Sequence, residues 1–141
     1  MNPIRAASLR ARILHASFLT TQFLFVVVLV VAHPKTYPVA PAIPIVLALL
    51  AVNNCGIALL FRNRKLKAAE ERLRTQPSNA ASLNDWISAN IISFAFAETC
   101  GLFGVLLKFL GADWTVAAPF LALAVLVLLL LTPRLDVPDA Q

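Results

Sequence analysis

Residues 90–108 read Asn-Ile-Ile-Ser-Phe-Ala-Phe-Ala-Glu-Thr-Cys-Gly-Leu-Phe-Gly-Val-Leu-Leu-Lys, an apolar run with one carboxylate, Glu98, near its middle. A bilayer-crossing helix needs about 20 predominantly apolar residues, and this run supplies them. At a rise of 1.5 Å per residue, Glu98 then sits roughly 15 Å from each water interface. An ionisable group at that depth costs about 2.5–3.5 kcal/mol on insertion scales. It is therefore expected to face protein and to have a function.

The remainder of the chain has the same character. Of its 141 residues 60% are hydrophobic and 13% charged, and the mean hydropathy is +0.80. Soluble domains lie well below such values, so the composition implies an integral membrane protein whose first partner is the lipid bilayer. The length suits a single transmembrane domain, residues 1–141. The formal charge of +5 does not point to nucleic acid, because the Lys and Arg residues cluster beside apolar runs instead of covering a folded face. Cys55 and Cys100 both lie within apolar runs and make no C-x-x-C or zinc spacing. They read as small buried side chains, with a disulfide between them as the alternative.

Four helices are expected. The first, about 13–32, follows a segment carrying Arg5, Arg10 and Arg12 and no acid. Cleavage after Ala32 is the competing reading, but the run exceeds the usual signal core of about 7–15 residues, so a retained helix is expected. Pro34, Pro38, Pro41 and Pro44 then break and restart the chain. The second helix, about 43–61, continues through a polybasic extension to about 75. Pro77 and Ser78 interrupt it. The third helix is expected at about 86–110, with capping candidates between Ser82 and Asp85, and the fourth at about 116–131 beyond a turn at Gly111. A short tail with Asp136 and Asp139 closes the chain.

Ten of the twelve Lys and Arg residues fall before the first run, between the second and third, or after the fourth; only Lys35 and Lys108 lie on the other side. This asymmetry predicts both termini in the cytoplasm and a bacterial-type inner-membrane location. Trp86 would then mark the inner interface, and Tyr37 and Trp114 the outer one.

Depth can be compared between runs because each crosses the same slab. Gln22 is central in the first, Asn53 and Asn54 in the second, and Glu98 in the third. These four residues form a candidate ion-binding layer, since amides and a carboxyl exposed to lipid are costly and pair best inside a bundle. Ser93, Ala97, Gly101 and Gly104 give the third helix a narrow packing face beside Glu98. His15 lies seven residues before Gln22 on the same helical face and is a candidate cofactor ligand, although the identity of any cofactor is unknown. Arg62, Arg64, Lys65, Lys67, Arg72 and Arg74 could hold anionic lipid headgroups or an acidic partner, or simply set topology. No Ser/His/Asp set, metal motif, phosphate loop or carboxylate pair can be assembled, so an enzyme is not expected.

The segment from Arg74-Thr75-Gln76-Pro77 to Phe96-Ala97-Glu98-Thr99-Cys100-Gly101-Leu102-Phe103-Gly104 resembles the hairpin of rotary ATPase proteolipids, the c subunit of ATP synthase and its vacuolar relatives. There a cytoplasmic loop with Arg-Gln-Pro joins two helices, and the second carries Ala-Glu followed shortly by Gly-Leu. The resemblance implies an ion-carrying role for Glu98 alone. This chain departs in having only Gly56 where the family has a Gly-rich stripe, and in the two further helices that flank the hairpin.

The resulting expectation is an all-α four-helix transmembrane bundle, both termini cytoplasmic, in which Glu98 handles a proton or small cation. The alternative is a non-catalytic accessory or assembly subunit that packs beside other membrane subunits or its own copies and helps hold a cofactor.

Overall fold

A computed structural model describes residues 3–76 and 79–135, and within them the chain is all-helical. Pro77, Ser78, Asp136 and Asp139 lie outside the described residues. The helices are α1 (Pro3–Ala32), α2 (Ala42–Thr75), α3 (Ala80–Phe109) and α4 (Trp114–Leu130). By length and composition α1, α2 and α3 are apolar enough to cross a membrane, whereas α4 is a shorter apolar helix. The outward surface is oily along its length, with Phe23 68%, Leu49 68% and Val31 74% exposed.

α1 begins ten residues before its expected start. Pro3 tolerates the first turn, where its missing N–H would have had no partner. Ile4, Ala7 and Ala11 then recur at helical spacing as a buried face. α3 also starts early, because Asn79 takes the N-cap position and its Oδ1 accepts from the Ser82 N–H at 3.1 Å. α4 begins at Trp114, with Asp113 in the N-cap position.

α3 is the hub. It packs against α2, α4 and α1, while the backbones of α1 and α2 stay apart and only their side chains share clusters at the basic end. Small residues allow three neighbours to crowd one helix. Ser93 and Cys100 face α2, donating to Ala58 O at 3.3 Å and Ala51 O at 3.5 Å. Gly104 faces α4, where an added Cβ would lie 2.9 Å from Ala117 O. Phe94 and Gly101 face α1, through ring contacts to His15 and Phe18 and through Gln22.

Two cores result. The main one joins α2, α3 and α4 around Ala58, Phe94, Ala97, Ala124 and Leu128. At 1.5 Å per residue α1, α2 and α3 are about 45–50 Å long and α4 only about 25 Å, so the three long helices overshoot α4. The overshoot is at the basic end, where Ile4, Ala7, Leu73 and Leu83 form a separate cluster and Ala11, Leu66, Ala69 and Trp86 another. Trp86 is fully buried there, not displayed at an interface, because α3 extends beyond it by a turn and a half and the α1 and α2 extensions cover it.

Candidate functional site

Glu98 belongs to the stripe Phe94, Glu98, Gly101, spaced i, i+4, i+7 and therefore on one side of α3. Phe94 and Gly101 give that side to α1, so Glu98 lies at the α1 edge of the hub helix. It is half-buried and has no hydrogen bond or ion pair among the described residues.

Gln22 fills the space above Gly101. A Cβ at Gly101 would overlap Gln22 Oε1 and lie 2.8 Å from Cδ and 2.9 Å from Nε2. The residue is 1% exposed, and neither Oε1 nor Nε2 has a hydrogen-bond partner. A buried amide left in that condition costs about 1–3 kcal/mol. Residues three apart on a helix have Cβ atoms about 5–6 Å from one another, within reach of a glutamate side chain. Gly101 thus seats an orphaned amide one turn from an unpaired carboxyl.

Asn53 and Asn54 do not join them. Asn53 is exposed on the outer side of α2 and Asn54 is half-buried. α2 lies against the Ser93 and Cys100 side of α3, and its backbone does not approach that of α1. The shared depth inferred from sequence therefore corresponds to two separate polar places, one on each flank of the hub. Ser93, Ala97, Gly101 and Gly104 are all buried, but they serve three neighbours instead of one narrow seam.

His15 reaches α4 through one of its ring nitrogens. Its Nε2 lies 2.8 Å from Leu128 O, a carbonyl that can only accept, so Nε2 carries the proton and is not free to ligate a cofactor. Its ring stacks obliquely on Phe94 at 5.2 Å. Arg62 does related work from the other flank: Nη1 donates to Leu130 O at 2.9 Å and Nη2 to Thr132 O at 2.8 Å. Helix ends leave their last carbonyls without partners, and here α1 and α2 cap the end of α4 from either side. Of the other basic candidates, Arg72 meets Asp85 at 3.6 Å with both side chains about two-thirds exposed, a pair worth little in water. Arg64, Lys65, Lys67 and Arg74 are exposed.

Sequence reasoning missed Asn90. It is fully buried, donates from Nδ2 to Trp86 O at 2.9 Å and leaves its Oδ1 without a partner, as Trp86 leaves its Nε1. Its spacing of four from both Trp86 and Phe94 was the available signal. Cys55 and Cys100 are free thiols with Sγ atoms 3.4 Å apart. Among the described residues no three His, Cys, Asp or Glu side chains gather as metal ligands. No protein-family model matches the chain, and no curated protein or solved structure matches it either.

Proposed function

We propose that the chain is a four-helix protein of a bacterial-type inner membrane, with both termini in the cytoplasm, and that Glu98 and Gln22 together handle a proton or small cation. The distribution of Lys and Arg supports the orientation. At about 25 Å, α4 is near the lower limit for a span, and its capped end sits level with Arg62. The observation that carries the functional reading is the orphaned Gln22 amide on Gly101, one turn from an unpartnered Glu98.

The chemistry follows from the two groups. A protonated carboxyl offers a donor and an acceptor, matching both free atoms of the amide, whereas a carboxylate only accepts. Gain or loss of a proton, or arrival of a small cation, changes which contacts Glu98 can make and hence whether its side chain lies inward on Gln22 or at the helix edge. The likeness of residues 74–104 to the proteolipid hairpin supports the same role for Glu98. Flux of protons or monovalent cations through reconstituted vesicles tests the reading. Wild-type protein is expected to conduct and Glu98→Gln to fall to the empty-vesicle level; equal flux in the two, or none in either, removes it.

One observation favours the accessory-subunit reading as a second. Asn53 is exposed on α2, and one turn away Gly56 has no atom within 4 Å of an added Cβ. An outward amide beside an open glycine suits close approach of another transmembrane helix, from a different subunit or a second copy. Loss of co-purifying chains in Asn53→Leu or Gly56→Ile, with flux absent in wild type, would favour it over ion handling.

A further inference from the structure

At the end of the bundle opposite the basic segment, two turns are clamped together. The Tyr37 N–H donates to Gly111 O at 2.9 Å, and Gly111, at φ 101°, leaves no room for a Cβ, which would lie 2.8 Å from Tyr37 N. Beside this clamp lies Lys108, in the last turn of α3 and only 3% exposed. Its Nζ donates to Ala112 O at 3.0 Å and sits 5.4 Å from the Trp114 ring centroid. An ammonium carries three donors, and a buried one is costly without a counter-charge. Among the described residues no carboxylate lies within ion-pair distance of Lys108.

Lys108 lines a cavity of about 330 Å³ whose other walls include Leu29 and Val30 of α1, Thr36, Asp113 and Trp114. Asp113 holds the N-cap position of α4, yet its side chain makes no capping bond. The cavity is therefore lined by a buried cation, an exposed uncommitted carboxylate, the His33 imidazole, a hydroxyl and the aliphatic side chains of α1. The unpaired ammonium calls for an anionic group, and the free carboxylate beside an aromatic ring calls for a cationic one. The aliphatic wall calls for a molecule with an apolar portion. Tyr37 and Trp114 place the cavity at the depth where aromatic rings meet headgroups.

The geometry points to a binding site for a phospholipid of the ethanolamine type, with its phosphate on Lys108 and Thr36, its ammonium between Asp113 and Trp114, and its glycerol and acyl portion along Leu29 and Val30. The shared chemistry is a phosphate ester bearing a primary amine, so a soluble phosphoethanolamine ester is the other source. The inference uses the bilayer placement but not Glu98, and flux through Glu98 can fail while it stands.

The test is native mass spectrometry of the full chain released from nanodiscs containing phosphatidylethanolamine, phosphatidylcholine and phosphatidylglycerol at equal mole fraction. Wild type is expected to retain one phosphatidylethanolamine, at least tenfold over phosphatidylglycerol. Lys108→Met is expected to lose it at least tenfold and Lys108→Arg to keep it. Asp113→Asn is expected to reverse the preference toward phosphatidylglycerol. Should Lys108→Met lack the wild-type helical signal, Asp113→Asn decides. Equal retention in Lys108→Met and wild type, or an unchanged lipid preference in Asp113→Asn, overturns the assignment. In a parallel arm with glycerophosphoethanolamine, binding of the lipid alone makes the ligand a membrane lipid. Binding of both keeps the site and makes the source soluble, and binding of neither overturns it.

Discussion

Replacing Gly101 with alanine puts a methyl group where the Gln22 side chain lies. The new Cβ would overlap Oε1 and approach Cδ to 2.8 Å and Nε2 to 2.9 Å, against about 3.5–4.0 Å for comfortable contact. Gln22 is 1% exposed, and the open space it borders is an apolar cavity lined by Val26, Leu121 and Val125. Relief requires either turning the amide into that apolar cavity or moving α1 back from α3, which also loosens Phe18 and His15 on Phe94. Overpacking of this kind costs about 1–3 kcal/mol, partly offset by the gain of about 1 kcal/mol when Gly becomes Ala within a helix. Gly56→Ala supplies the control, since it has the same propensity gain and nothing within 4 Å of the new Cβ. The two variants should therefore differ in stability by about 1–3 kcal/mol, with Gly101→Ala the weaker. Unfolding of the purified chain by increasing detergent denaturant, followed by circular dichroism, measures that difference. Adding Gln22→Ala to Gly101→Ala removes the obstructing group and should recover most of the loss, a coupling of the size expected for residues in contact. Equal stabilities for Gly101→Ala and Gly56→Ala, within about 0.5 kcal/mol, would refute the placement of Gln22 on Gly101.

Arg62→Met should speed hydrogen exchange in the last turn of α4 and destabilise the chain by about 1–2 kcal/mol, because the half-exposed guanidinium supplies two bonds to Leu130 O and Thr132 O. Arg64→Met, in the same basic segment but exposed, should change neither; equal effects from the two would contradict the capping role. Cys55 and Cys100, with Sγ atoms 3.4 Å apart in the main core, should resist a water-soluble maleimide in the folded chain. A membrane-permeant copper–phenanthroline oxidant should join them, with an intact mass lower by two hydrogen atoms. Maleimide labelling of either thiol before unfolding would argue against their burial between α2 and α3.

What hydropathy could and could not reveal is clearest at the polar positions. A run of apolar residues reports depth, which sets Gln22, Asn53 and Glu98 at one level. It says nothing of azimuth, and because the backbones of α1 and α2 stay apart on different sides of α3, Asn53 is separated from the other two. Trp86 reads as interfacial from the charge asymmetry and its amphipathic ring; the Asn79 cap, which starts α3 earlier, and the α2 extension carrying Leu66 and Ala69 are what bury it. The basic segment reads as uniform in the sequence, and nothing local distinguishes Arg62 from Arg64. The shortness of α4 was legible, however, and a short helix ending beside longer ones leaves carbonyls that need donors, a need met by His15 and Arg62. In the sequence Lys108 is one charge at the end opposite the basic segment; its burial comes at a turn clamped by the bond between Tyr37 and Gly111, residues far apart in the chain.

The central claim is that Glu98 and Gln22 form one site across Gly101. Solid-state NMR in lipid bilayers measures it directly, through dipolar coupling between a carbon-13 label at Glu98 Cδ and nitrogen-15 at Gln22 Nε2. The account predicts a separation of about 4 Å, that of a carboxyl hydrogen-bonded to an amide, in at least one protonation state between acid and alkaline pH. A Glu98 carboxyl that couples only to lipid acyl protons and never to Gln22, at any pH, would contradict it.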